Sequence, residues 1–317
     1  MANAINTLAG LIVLNDKNND DIDVSNLLED APLMQTLFAK EASNGTEHKY
    51  VRQTVASASA FRAVNAGLLK TFSQDEQITD TLVNLDGSFY VDVAIADAFK
   101  NGPEAYIQRE LVRTMRQRMF ALEQQVLLGV DADAAGFIGL ADDTSLDASS
   151  DAQVVEPATP GAGSANTSVW LLRSGDDDCS VIMGNGGEIV VGETIVQAVY
   201  ENHNTDLKTY PAYYTPVSAY AGFQLGGTYS AARLCNINTA SPVSTTALTD
   251  EDVYGAIAKF PAGRQPNTIV MNRTALQMLR NSRTAVNATG AAAPRPTEIE
   301  GIPIVVTDAI TDAEATI

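Results

Sequence analysis

The sequence contains few of the residues on which disulfide-bonded scaffolds and many active sites depend. Its 317 residues include two cysteines, two histidines and one tryptophan. Met1–Leu14 holds an apolar stretch, but neither a basic segment nor a small-residue cleavage site accompanies it, so no secretory signal is predicted. In a chain without such a signal, Cys179 and Cys235 are expected to remain reduced thiols.

Long apolar runs and an excess of basic charge are also missing. No stretch of about 18 apolar residues occurs, so the sequence predicts no segment that crosses a bilayer. Twenty basic side chains stand against thirty-nine acidic ones, which gives a formal net charge of −19. A protein that binds nucleic acid needs a basic surface to neutralise phosphates. The charge therefore argues against nucleic-acid binding, although an acidic balance by itself more often reflects solubility than function.

Sequence motifs of well-known enzyme classes are absent. There is no Gly-x-Ser-x-Gly elbow, no phosphate-binding loop that ends in Lys-Ser/Thr and no His-Glu-x-x-His. Asp16–Asp20 resembles a calcium-binding loop, but Asp21 occupies the position that requires glycine and Leu27 the one that requires glutamate. We interpret this segment as a solvated acidic loop. The sequence predicts no cofactor and no metal site.

Two histidines and one acidic run could still carry chemistry. His48 opens a predicted strand and His203 lies in a polar loop, and we expect both to be exposed to solvent. Asp176–Asp178 could pair carboxylates for glycoside hydrolysis or hold a hard cation, although adjacent acidic side chains in a turn are usually hydrated. An Asp-dependent hydrolase is therefore the alternative from a different functional class.

Two long helices are predicted in the N-terminal half. The first covers Val24–Ala42, inside a polar arm of residues 1–45, where leucines form a rough apolar stripe. The second covers Asn101–Leu128, with Asn101 as its N-cap and Gly129 at its end. Its apolar side chains repeat every three to four residues, and arginines lie between them on what we interpret as a solvated or salt-bridged face. These arginines are Arg109, Arg113, Arg116 and Arg118.

Between these helices, alternation with period two predicts a long two-stranded ribbon over Thr46–Ala96. Its strands are expected near Tyr50–Thr54 and Phe89–Ile95. The segment Ser57–Thr79 has too few apolar residues for a core and is predicted to form an irregular tip. An isolated ribbon is barely stable in water, so we expect a partner to cover it.

The C-terminal half is predicted to alternate loops, strands and helices. Residues 141–168 predict a loop, and residues 169–238 predict short strands with a tight hairpin turn at Asn185–Gly187. Thr249 and Asp252 form a capping-box pattern at the start of a helix. The remaining predicted elements are a strand at Thr268–Met271, a helix at Arg273–Arg283, a loop at Ala285–Pro296 and a strand at Ile302–Thr307.

The order of these elements resembles the plan of Hong Kong 97 type major capsid proteins of tailed bacteriophages. Sequence motifs carry the resemblance over nearly the whole chain, and those after the long helix resemble the short, gp7-like subgroup of these proteins. The motifs are Phe61–Gly67, Ser88–Asp92, Phe137–Leu140, Ser168–Arg173, Gly222–Leu225, Arg233–Ile237, Thr268–Asn272 and Glu300–Val305.

The resemblance implies an α+β fold of the Hong Kong 97 type. The implied regions are an N-terminal arm (1–45), an extended β-loop (46–98), a peripheral domain with a long spine helix (99–165), a β-rich insert (166–246), an axial domain (247–300), and a return strand with the C-terminus (301–317). Inter-subunit contacts are implied for the extended-loop residues Phe61, Arg62, Asn65, Lys70 and Phe72. The spine-helix residues singled out are Arg109, Arg113 and Arg116.

The implied function is structural rather than enzymatic. The chain would self-assemble into pentamers and hexamers of an icosahedral shell around the double-stranded DNA of a tailed phage, without sequence-specific DNA binding and without a membrane. Expected partners are other copies of the chain, a separate scaffolding protein, a portal protein and an optional decoration protein. The protein would be made in the host bacterial cytoplasm and end in the virion. An encapsulin-like compartment shell is the alternative on the same fold.

Overall fold

The structure is a computed structural model that describes residues 27–317 apart from positions 56, 58, 68–71, 203–205, 242–243 and 288–290. The strands are β1 (Phe38–Glu41), β2 (Glu47–Val55), β3 (Gln74–Thr81), β4 (Val83–Asp86), β5 (Phe89–Asp92), β6 (Val154–Val155), β7 (Asn166–Leu172), β8 (Cys179–Met183), β9 (Val190–Val191), β10 (Ile195–Asn202), β11 (Asp206–Thr215), β12 (Val217–Leu225), β13 (Ala231–Asn238), β14 (Thr268–Met271), β15 (Glu298–Ile299) and β16 (Ile302–Val306). The helices are α1 (Val93–Asp97), α2 (Pro103–Leu128), α3 (Asp250–Ile257) and α4 (Arg273–Ala285).

Within the described ranges these strands form four sheets. One has the order β1-β8-β12-β4, with β9 also paired to β12, and a second has the order β10-β11-β5. The largest has the order β15-β16-β14-β7-β13-β6, and β2 with β3 form a separate two-stranded ribbon. In the part of the chain that the structure describes, no helix is long and apolar enough to cross a membrane.

Helix α2 confirms the long helix predicted from the apolar repeat. Its 26 residues make a rod of about 39 Å, and the repeating apolar side chains face the larger core. The N-cap is Gly102 rather than Asn101, because the residue before Pro103 is kept out of the helical region and the helix must begin at the proline. Gly129 ends the helix with φ of +57°. The buried apolar residues of α2 are Leu111, Met115, Met119, Leu122, Val126 and Leu127.

The helix predicted over Val24–Ala42 is wrong where the structure describes the chain. Pro32 begins a short 3-10 turn, because a proline inside an α-helix would remove the hydrogen bond to the preceding turn. Strand β1 follows and pairs in parallel with β8, with Phe38 opposite Ser180. The leucines predicted as an apolar stripe are nevertheless buried against α2: Leu27, Leu28, Leu33 and Leu37. Tertiary pairing thus overrides the local helical pattern.

The ribbon forms, but with a different second strand. Strand β2 pairs antiparallel with β3, which begins inside the predicted tip and ends two residues beyond it, so the tip is shorter than expected. The predicted strand Phe89–Ile95 is only partly correct. Its first half is β5, which pairs with β11, and its second half is α1, whose first turn is capped by the Asp92 side chain.

The β-rich insert expected over residues 166–246 does not form a sheet of its own, because its strands share one sheet with a strand from the expected axial domain. Strands β7 and β13, near the two ends of the insert, pair with each other, and β7 also pairs with β14 of the expected axial domain. The second core forms between this sheet and helices α3 and α4. The turn at Asn185–Gly187 is present but does not join a hairpin, because β8 and β9 both pair with β12 instead of with each other.

The C-terminal helices and strands agree with the sequence prediction. Thr249 caps α3, accepting a hydrogen bond from the Asp252 amide, and the Asp252 carboxylate accepts one from the Thr249 amide in return. Strand β14 has the predicted bounds, while α4 extends two residues further and β16 stops one residue earlier than predicted. These elements are identified correctly from sequence because their caps and apolar periods are local.

Candidate assembly surface

The ribbon formed by β2 and β3 ends in a tip that exposes large apolar side chains. Phe61 is fully exposed, and Val64 and Phe72 are exposed by 89% and 77%. Arg62 donates a hydrogen bond of 3.4 Å to the carbonyl of Ala66 within the tip. Three large apolar side chains exposed in one short segment make the tip a candidate surface for contact with a partner, because grouped exposed apolar side chains often mark interaction sites.

The remaining predicted tip residues differ in what the structure shows of them. Asn65 adopts φ of +66°, a left-handed conformation that asparagine tolerates better than most residues, and so it turns the chain at the tip. Lys70 lies outside the described residues. The inter-subunit roles given to Phe61, Arg62, Asn65, Lys70 and Phe72 stay predictions.

The base of the ribbon is joined to strand β12 by a hydrogen-bond network around His48. The Ser43 amide donates to Nδ1 of His48 over 3.1 Å, which leaves the proton on Nε2 to be donated to Oε1 of Gln224 at 2.8 Å. His48 is therefore buried, and the prediction that it faces solvent is wrong because β12 covers it. Burial lowers the pKa of this imidazole, so the neutral form that the network requires is favoured.

Two further polar side chains lie at the same base. The Tyr50 hydroxyl donates to the carbonyl of Leu225 over 3.2 Å. Asp80 lies opposite His48 in the β2–β3 register, and burial raises its pKa to about 6, a shift that the polar hydroxyl of Tyr50 opposes. The ribbon is thus firmly attached at its base and free at its tip.

Three of the four α2 arginines that were predicted to form a solvated or salt-bridged face make ion pairs there. The Arg109 guanidinium lies 4.9 Å and 4.6 Å from the ring centres of Phe99 and Tyr106. Arg113 pairs with Glu110 at 2.9 Å, and its side chain remains 62% exposed. Arg116 pairs with Glu29 at 2.8 Å and so attaches the arm to the helix.

Glu123 joins three parts of the chain and was not singled out from sequence. It is fully buried on α2, accepts hydrogen bonds from the amides of Leu33 and Met34, and accepts another from the Thr307 hydroxyl after β16. Burial raises its pKa to about 7. The available signal was a glutamate beside Leu122 in the apolar repeat, but sequence alone does not show which neighbours bind it.

The acidic run Asp176–Asp178 supports the structure of the subunit, because two of its carboxylates bind basic side chains and do not face each other as a catalytic pair. Asp176 pairs with Lys40 at 3.1 Å, while Asp178 pairs with Arg173 at 3.0 Å and accepts from the Ser230 hydroxyl. In the described part of the chain no group of three or more His, Cys, Asp and Glu side chains is arranged to hold a metal ion. Both Asp16–Asp20 and His203 lie outside the described residues.

Both cysteines are buried and unpaired. Burial raises the pKa of the Cys235 thiol to about 11, and it raises that of the Cys179 thiol further. A thiol protonated at neutral pH is a poor nucleophile and a poor metal ligand. Cys179 and Cys235 therefore act as small apolar side chains in the core.

The chain is similar to several solved structures, and it shares its fold with a chain of a phage structure. A chain of the bacteriophage Epsilon15 structure aligns with a TM-score of 0.66 and 21% identity, covering 89% of this chain and 88% of that one. A chain of the bacteriophage JBD30 capsid aligns with a TM-score of 0.46 and 12% identity over 94% and 97% of the two chains. A chain of the SrpI encapsulin complex from Synechococcus elongatus aligns with a TM-score of 0.41 and 13% identity over 66% and 88%. No curated protein matches the sequence.

The likeness to the Epsilon15 chain shows an α+β fold of the Hong Kong 97 type, as the sequence motifs predicted. The sequence model of the family described as major capsid protein GP7 matches residues 16–317, nearly the whole chain. The chain therefore belongs to the family of GP7 major capsid proteins, and it is a structural subunit of a phage capsid.

Proposed function

We propose that the chain assembles into pentamers and hexamers that close into an icosahedral shell around the double-stranded DNA of a tailed phage. The observation that carries the proposal is the β2–β3 ribbon. Its hydrogen bonds to the sheet of β12 come from His48 and Tyr50 near its base, while Phe61 and Phe72 at its tip lie in solvent. A two-stranded ribbon is barely stable alone, so a neighbouring subunit has to supply the missing burial.

A ribbon that covers a different surface on the next subunit makes a head-to-tail contact. Contacts of this kind close into rings when the rotation between subunits divides a full turn. The residues proposed to make the contact are Phe61, Arg62, Asn65, Lys70 and Phe72. Rings of five and six are then the building units of the shell.

The distribution of charged side chains supports helix α2 of the next subunit as the surface that the ribbon covers. The chain carries a net charge of −19, yet Arg109 and Arg113 lie exposed on α2 and share the single carboxylate of Glu110, so these three side chains keep an excess of positive charge. On β3, Asp75 and Glu76 are exposed and acidic. We propose that this acidic part of the ribbon meets Arg109 and Arg113 of the next subunit, with Arg116 holding the arm beneath it.

The proposal includes the expected regional division and partners. Residues 1–45 act as the arm, 46–98 as the extended loop and 99–165 as the peripheral domain, followed by 166–246, 247–300 and 301–317 as insert, axial domain and return strand. A separate scaffolding protein, a portal protein and an optional decoration protein complete the particle. The subunit is made in the host cytoplasm, catalyses no reaction and encloses the DNA without binding it sequence-specifically.

Electron microscopy of the purified protein with its scaffold tests the proposal. Wild type should form closed shells, whereas Phe61→Ser combined with Phe72→Ser should remain folded but unassembled, because both side chains are exposed in the subunit. Val286→Ser, which is 82% exposed outside the ribbon, is the matched control and should form shells. A wild-type protein that stays monomeric at every concentration contradicts the proposal. Particles filled with cargo protein instead of DNA would indicate the encapsulin-like alternative.

A further inference from the structure

Strand β10 is the outer strand of the three-stranded sheet, and in the described part of the chain no strand pairs with its free edge. It is eight residues long and uncharged from Ile195 to Tyr200. Ile195, Val196 and Tyr200 are exposed by 49%, 59% and 52%. The register with β11 is regular over these residues and shifts only between Tyr200 and Asn202. An edge of this length has unpaired amide and carbonyl groups that can pair with another strand.

The other described edge strands carry the features that prevent such pairing. Short edges and charged side chains block edge-to-edge association in soluble proteins. The four-residue edges each include at least one acidic or basic side chain, and β6 and β15 have only two residues. Both strands of the β2–β3 ribbon carry charged side chains. The charged residues on β2 and β3 are Glu47, Lys49, Arg52, Asp75, Glu76 and Asp80. Strand β10 also carries one charge, Glu201 near its end, but the six residues Ile195–Tyr200 give it the longest uncharged stretch of these described edge strands.

We propose that β10 pairs edge to edge, in antiparallel orientation, with β10 of a second copy of this chain. The uncharged stretch Ile195–Tyr200 lets two chains of charge −19 pair over six residues with no charged side chain inside the junction, while Glu193 and Glu201 flank it. Pairing joins two three-stranded sheets into one of six strands and satisfies the free backbone groups. Exposed tyrosine and branched aliphatic side chains pack across such a junction.

The symmetry of this contact determines its place in the shell. The same strand contributes from both copies, so the contact is isologous and has a two-fold axis. An isologous contact joins subunits in pairs and cannot by itself close a ring of five or six. It therefore links subunits of two neighbouring rings, whereas the ribbon links subunits within a ring. This inference rests on the proposed shell function.

Hydrogen exchange measured on the wild-type protein tests the pairing directly. The peptide covering residues 195–202 should exchange about tenfold or more slowly in shells than in subunits released from them, because edge amides become hydrogen-bonded. Equal exchange in the two states would overturn the proposal. Slowing that appears only when a decoration protein is added to finished shells would also overturn it, because the occupant would then not be a second copy.

Two charged substitutions on the same face of the hairpin provide the matched test. Val196→Lys places a charge on the edge strand, and Thr209→Lys places one on the inner strand β11, opposite Tyr200. Both side chains are exposed in the subunit, so each variant should fold. Val196→Lys should stop at free rings, while Thr209→Lys should form shells. Normal shells from Val196→Lys, or equal arrest of both variants, would refute edge pairing, whereas a wild-type protein that makes no rings would refute the shell function itself.

Discussion

Glu123 and Leu33 are joined by a hydrogen bond of 2.9 Å from the Leu33 amide to Oε2 of Glu123, although they lie 90 positions apart in the sequence. The same carboxylate accepts from Met34 at 3.4 Å and from the Thr307 hydroxyl. One buried side chain thereby holds the arm, the spine helix and the segment after β16 together. Any change in its charge acts on all three.

The first prediction concerns the pH dependence of stability. The pKa of Glu123 is about 7 in the folded protein, against 4.5 for an ordinary glutamate. Between these values the folded state keeps a proton that the unfolded state has released, so the free energy of unfolding falls as pH rises, by up to about 1.4 kcal/mol per pH unit from this group. The stabilising contribution of Glu123 is therefore complete below about pH 4.5, and it is lost as the pH rises through about 7.

Glu123→Gln should make this decline shallower, because the amide keeps an acceptor oxygen and does not titrate. Urea unfolding at a series of pH values between about 5 and 8 measures the slope. Asp80, whose pKa is raised to about 6, contributes in the same direction, so part of the slope should remain. Glu76→Gln, at an exposed carboxylate, is the control and should leave the profile unchanged. An unaltered slope in Glu123→Gln would contradict the assignment.

The second prediction compares a buried and an exposed ion pair. Arg233 and Glu314 pair at 3.1 Å with side chains only 6% and 9% exposed, and the guanidinium lies 4.8 Å from the Trp170 ring centre. Glu314→Ala leaves a buried cation unpaired and should lower the free energy of unfolding by about 3–5 kcal/mol. Asp308→Ala breaks an exposed pair with Arg273 and should cost less than about 1 kcal/mol. Similar losses in chemical denaturation of the two variants would show that burial does not govern the difference.

A third prediction concerns the glycine that ends the spine helix. At Gly129, φ is +57°, and an added Cβ would lie 2.7 Å from the Gly139 backbone nitrogen and closer still to the Asp142 carboxylate. Gly301 also has positive φ, but nothing lies within 4 Å of its added Cβ. Gly301→Ala should therefore cost about 1 kcal/mol from backbone strain, and Gly129→Ala clearly more. Thermal unfolding of the two variants checks the order, and a smaller loss for Gly129→Ala would show that the clash is relieved.

The fourth prediction concerns the scaffolding protein. Flat sheets, tubes and closed shells use nearly the same subunit contacts, so a scaffold is needed to bias curvature. We expect this scaffold to be a separately encoded chain. Expressed alone, the protein should form open or aberrant assemblies in electron micrographs, and a co-expressed scaffold should restore uniform spheres. Uniform shells from this chain alone would refute the idea.

The sequence by itself determined the elements whose signals are local. The apolar period and the glycine at position 129 mark helix α2, and the Thr249 capping box marks α3, because both patterns act within a few residues of the structure they form. The order of elements and the motifs such as Phe61–Gly67 were enough to identify the capsid fold. The ribbon was also predicted, together with its need for a partner.

Only the tertiary structure decided which strands pair and which polar side chains are buried. β1 forms in a segment with a helical pattern because β8 lies beside it, and β3 forms inside a predicted tip because β2 lies opposite. Strand β10 lies within residues 169–238, where short strands were predicted, but its bounds and its free edge were not predicted. His48 and Glu123 are buried by residues more than 80 positions away, Gln224 and Leu33. Strand pairing and burial depend on chain segments that meet only in the folded molecule, and no local pattern of residues encodes that meeting.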